Sequence, residues 1–149
     1  MKKTVESSEG FLKLIKEWQS LEDRTISSAN DLLSKTKNPM IKMIMESIKH
    51  DSEKHKVILQ MITDYATKEA FSMSHEDVLP LADLLEKHID VENQSIKLAD
   101  EAHNRSRLFV TRFLISYLIA DEVKHHGLLT QLNDLKRAQI ATSTSSRFA

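Results

Sequence analysis

The sequence contains no cysteine, which removes disulfides, thiolate zinc sites and iron–sulfur clusters from consideration. Glycine and proline are scarce, with 2 of each in 149 residues, so little in the chain turns it sharply or breaks a helix. Together with 29% charged residues and almost no β-branched runs, this composition predicts an all-α chain. An excess of one charge sign is also missing: 21 basic residues stand against 22 acidic ones. That balance supplies no bulk attraction to nucleic acid or to an anionic membrane, and neither is expected as a partner. No apolar run approaches the roughly 20 residues of a membrane span, and the first residues lack a signal-peptide core. The expectation is one cytoplasmic domain over residues 1–140, followed by a disordered Ser/Thr-rich tail over 141–149.

What is present is helical periodicity with charge inside it. The stretch Leu118–Leu129 reads L-I-A-D-E-V-K-H-H-G-L-L, and around it Leu114, Leu118, Glu122, His125, Leu129 and Leu132 recur at steps of three and four. Glu122 and His125 therefore share one face of a helix, one turn apart. A carboxylate in an apolar stripe is costly unless its charge is compensated. A metal ion compensates it, since carboxylate oxygen and imidazole nitrogen both ligate iron, manganese or zinc.

This segment has an earlier counterpart. At an offset of 70 residues, Leu21–His55 lies over Val91–His125 without a gap. Glu22 falls on Glu92, Ile26 on Ile96, Ala29 on Ala99, Asp51 on Asp121, Lys54 on Lys124 and His55 on His125. The identities gather on charged and histidine positions of the inner stripes, which reads as two copies of one helical hairpin, about 9–66 and 78–138. One position breaks the match: Glu122 lies over Ser52, so E-x-x-H in the second copy is S-x-x-H in the first. Glu53 cannot stand in, because two residues along a helix from His55 it points to another side.

Taken in order, helix 1 is expected from Ser7 or Ser8 to about Thr36, with the stripe Ile15, Trp18, Glu22, Ile26, Ala29 and Leu33. Asn38-Pro39 marks the start of helix 2, a capping residue followed by proline at the first helical position. Its stripe is Ile44, Ile48, Ser52, His55, Leu59 and Ile62, and it should end near Ala66. Glu22 precedes Asn38 by 16 residues and His55 follows it by 17. At about 1.5 Å per residue both lie roughly 25 Å from the turn, face to face in an antiparallel pair. The connection, about Thr67 to Asp77, is long enough for either a crossover or a local turn. Helix 3 is expected from about Val78 to Asn104, capped by Ser74 or Asp77, with the stripe Leu81, Leu85, His88, Glu92, Ile96, Ala99 and His103. A break at Arg105–Leu108 then separates it from a fourth helix running to about Ala138.

Four-helix bundles that hold two irons take a glutamate from each of two helices and Glu-x-x-His from each of the other two. Glu22, His55, Glu92, Glu122 and His125 fill five of those six positions in order. At these residues, and in the D-E-x-K-H-x-x-x-L pattern of Asp121–Leu129, the chain resembles the ferritin-like superfamily, most of all rubrerythrin-type domains. The resemblance implies an antiparallel four-helix bundle built from the two duplicated hairpins. It implies that the five residues are ligands for iron, with manganese or zinc as substitutes, and that Asp51 and Asp121 orient the imidazoles. It further implies a non-haem iron oxidoreductase acting on peroxide, on oxygen or on Fe²⁺. Without cysteine, such an enzyme takes its electrons from an external donor. Three outcomes follow from Ser52: water or a shifted Asp51 fills the gap; one metal sits at Glu92, Glu122 and His125; or metal binding is lost. His88, one turn from Glu92, is a further substitute ligand. The alternative function is a non-catalytic binding module acting as a homodimer.

Overall fold

The computed structural model describes residues 8–68 and 74–145, with the side chains of His75 and of residues 136–145 left aside. Among the described residues every regular element is helical. The elements are α1 (Glu9–Lys35), α2 (Pro39–Thr67), a short α3 (His75–Val78), a 3-10 turn (Leu79–Leu81), α4 (Ala82–Arg105) and α5 (Phe109–Ser145). The chain divides into two compact units, Met1–Ser72 and Met73–Ala149. In the first α1 packs along α2; in the second α4 packs along α5 and α3 touches α5. None of these helices is long and apolar enough to cross a membrane.

The first hairpin is punctuated by side chains rather than by glycine. Ser8 caps α1, its Oγ accepting the Phe11 N–H at 3.3 Å. Asn38 caps α2, its Oδ1 accepting the N–H groups of Met40 at 2.9 Å and Ile41 at 3.2 Å, with Pro39 in the first turn. Thr36 and Asn38, like Ser106 in the second hairpin, adopt extended backbone. No described residue has a positive φ, so these turns need no glycine, which is how the chain manages with two. Gln19 bonds Gln60 at 3.4 Å, and Asp23 pairs with Lys56. Pairs whose numbers rise on one helix as they fall on the other define an antiparallel register. Ile15, Ala29, Leu59 and Ala66 form the buried seam.

The second hairpin opens differently from the expected single helix starting near Val78. Ser74 and Asp77, both expected as caps, work together: Asp77 Oδ2 accepts the Ser74 N–H at 2.7 Å and its hydroxyl at 2.9 Å. Those two bonds hold the Asp77 carboxyl below its usual range. Pro80 has no N–H to give and its ring crowds the carbonyl four residues back, so the helix tightens to a 3-10 turn before α4 starts at Ala82. At the other end Arg112 Nη1 donates to the carbonyls of His103 (2.9 Å) and Ser106 (3.2 Å), stopping α4 without glycine or proline.

Two expectations are corrected. Helix α5 continues through Ser145, so the tail expected from 141 onward is helical over Ala141–Ser145. No Gly or Pro interrupts it there, and 146–149 lie outside the described residues, as do Met1–Ser7 and residues 69–73 of the connection. The inward stripes are also too wide. Trp18, Ile48, Leu81 and Leu118 are exposed, because a seam between two helices covers only the residues directly between them. A Cβ built on Gly127, inside α5, meets no heavy atom within 4 Å. Gly127→Ala should therefore raise unfolding free energy by about 0.5–1 kcal/mol, as urea titration would show. Leu59→Ala, at a site 2% exposed, should lower it by roughly 2–5 kcal/mol.

Candidate metal centre

Each hairpin buries one glutamate halfway along its seam, Glu22 in the first and Glu92 in the second. Both occupy the interior because their flanking turns are apolar, and both have to be neutralised there. The hairpins do this with equivalent positions and different chemistry.

In the first hairpin Glu22 is surrounded by donors. Trp18 Nε1 donates to Glu22 Oε1 at 2.9 Å, and His55 Nδ1 lies 3.3 Å from the same oxygen. The buried Ser52 hydroxyl bonds the carboxylate from across the seam. Burial pushes the Glu22 carboxyl up, but the bonds from Ser52 and Trp18 and the His55 imidazole outweigh it and hold the group below its usual range. The expected face-to-face placement of Glu22 and His55 is thus seen. An open groove of about 760 Å³ in this hairpin lies among Leu21, Thr25, Leu32, Met45 and Ile48, and none of Trp18, Glu22, Ser52 and His55 lines it.

The second hairpin presents Glu122 where the first has Ser52. Glu122 stands against Glu92 from across the seam, and His125 Nδ1 is 3.9 Å from Glu92 Oε1. His88 Nε2 lies 3.1 Å from the same oxygen. The hydrogen bond that Glu122 gives to Glu92, then burial, then repulsion from Glu92 push the Glu122 carboxyl up. The bond to Glu122, opposed by burial and aided by His125 and His88, holds Glu92 down. Glu92 Oε2 is buried and accepts no hydrogen bond from a fixed donor. One ligand atom each from Glu92, Glu122 and His125 lies within 4.8 Å of the others. Atoms sharing an ion at about 2.1 Å sit about 3–4 Å apart, and the exposed His125 ring is free to close that difference. An open pocket of about 410 Å³, lined by His88, Glu92, His125, Leu128 and Leu129, leaves room for an ion with solvent.

The structure therefore brings Glu92, Glu122 and His125 together with His88 beside them in the second hairpin, and Glu22, Ser52 and His55 together in the first. His88 and His125, expected to face inward, are exposed at the pocket mouth. Asp51 takes the Lys54 ammonium at 3.0 Å, while the His55 nitrogen goes to Glu22. Trp18 and His88 were legible in the same offset of 70 residues, which lays one over the other. Each offers a ring nitrogen to the glutamate four residues on, but the indole N–H only donates, whereas imidazole also ligates.

Glu22 contributes stability above its unfolded-state pKa, near the ordinary 4.5, and loses it as pH falls through the depressed folded value. Glu22→Gln should destabilise the protein at pH 7 and make urea midpoints at pH 7 and pH 3 more alike. An unchanged difference between those midpoints would show that Glu22 carries none of the acid sensitivity. Comparison of the chain with protein-family models, with curated proteins and with solved structures gives no match.

Proposed function

We propose that the protein binds a divalent transition metal through Glu92, Glu122 and His125, within a ferritin-like carboxylate four-helix bundle. One observation carries this reading: a buried glutamate with an unsatisfied oxygen meets a second carboxyl and an imidazole, one ligand atom of each within 4.8 Å of the others. Bringing two carboxylates together without a cation leaves them in competition for one proton, and a cation removes that competition. The donors are two oxygens and one nitrogen, a set that iron, manganese and zinc accept. Iron is the choice the rubrerythrin resemblance favours, and bound iron would supply redox chemistry with peroxide or oxygen, driven by an external electron donor.

The contrast between the hairpins favours one metal per chain over a pair held within it. Glu22 already receives donors from Trp18, Ser52 and His55, so a cation there would have to displace satisfied bonds. The first hairpin keeps the frame of the site and lacks the second carboxylate.

Anaerobic loading with Fe²⁺ followed by elemental analysis should find about one ion per chain, the capacity of one three-residue donor set. Glu122→Gln and His125→Ala should lower that content, whereas Glu22→Gln and His55→Ala should leave it unchanged. Equal content in all four variants would sink this reading. Metal-free Glu122→Gln should also unfold at higher temperature than the unaltered chain at pH 7, because a raised carboxyl pKa stabilises only below it and costs stability once ionised. Ser52→Glu, which restores E-x-x-H to the first hairpin, should raise the iron content above one.

A further inference from the structure

The open face of the second hairpin is apolar around its polar centre. Along α4, Leu84, His88, Val91, Ser95 and Leu98 follow at steps of four and three with no Asp, Glu, Lys or Arg among them. Leu84, Val91 and Leu98 are all exposed, as are Leu118 and Leu128 on α5. Leu128 shares the pocket wall with His88, Glu92 and His125, so the strip and the donors belong to one surface. Uncharged residues at this spacing form a seam that a further pair of helices covers well.

The donor count says which pair. A dinuclear carboxylate bundle needs one glutamate from each of two helices and E-x-x-H from each of the other two. The second hairpin supplies half of that set, Glu92 on α4 and Glu122 with His125 on α5. The first hairpin supplies less than the other half, because Ser52 has no charge and Glu22 is occupied by three donors. A second copy of the second hairpin, turned by a two-fold axis, supplies the whole of it. Such an interface is self-complementary, each apolar strip meeting its own image. The side chain of Glu92 is 10% exposed with Oε2 unsatisfied. Three donors leave a divalent ion's shell incomplete, and a glutamate from the opposite copy can bridge to it.

We infer that two chains associate through their second hairpins across a two-fold axis and complete a dinuclear metal centre from Glu92, Glu122 and His125 of each protomer. The inference rests on the metal-binding reading and adds the source of the remaining ligands. It keeps the ratio of one metal per chain while placing two metals side by side.

The test is Mn²⁺ titration of the full chain, followed by light scattering and electron paramagnetic resonance. A dimer with two Mn²⁺ and hyperfine lines at half the spacing of an isolated ion is expected. Val91→Glu and Leu98→Lys, each placing like charges against their image, should give monomers without the coupled spectrum. Their Mn²⁺ affinity should fall about tenfold or more, the scale of losing support around a ligand. An isolated-ion spectrum with one Mn²⁺ per chain, in a monomer or a dimer, overturns the pairing and leaves the metal reading standing. A coupled pair in a monomer overturns it too, by placing both ions in one chain. No bound Mn²⁺ overturns both.

Discussion

A carboxylate placed between two packed helices must be neutralised, and everything distinctive about this chain follows from how that is done twice. Desolvation of a charge is expensive enough that an isolated buried glutamate would either protonate or open the seam around it. Glu22 avoids both because an indole N–H, a hydroxyl and an imidazole converge on it. Glu92 faces another carboxyl in place of the hydroxyl, and its own oxygen Oε2 is left unsatisfied. The same backbone frame thus holds a closed network in one hairpin and an open one in the other. The difference reduces to two positions, Trp18 against His88 and Ser52 against Glu122. In both, the second hairpin carries the residue type able to ligate a metal.

The helical class, the Asn38-Pro39 turn, the pause before Phe109 and the antiparallel register of Glu22 with His55 were all readable in the residues. Each rests on local chemistry: capping side chains, three-and-four spacing, and equal distances from a turn. The duplication made the donors stand out, since a lone E-x-x-H means little. What escaped the sequence depends on pairing across space. The width of the buried seam is set by two helix surfaces meeting, which periodicity along one helix overstates, so Trp18, Ile48 and Leu118 were placed inside and lie outside. The stop at Ser106 depends on the Arg112 side chain reaching back over several residues. The capacity of Trp18 to satisfy Glu22 was hidden because tryptophan on an apolar stripe reads as packing. The lesson of Ser52 was legible as a gap but not as a donor: its hydroxyl does not merely fail to bridge, it satisfies the opposite carboxylate.

The tight turns of three residues, 36–38 and 106–108, carry one more consequence, in time rather than in space. The residues that neutralise Glu22 all lie within 33 positions of it along the chain. Contacts so local form in microseconds to milliseconds in helical hairpins. Synthesis proceeds at about 5–20 residues per second, so the 70 residues separating His55 from His125 take seconds to emerge. During translation the first hairpin therefore closes on its own glutamate long before Glu92 and Glu122 are made. The half that needs nothing from outside is made first, and the half that leaves an oxygen unsatisfied follows it.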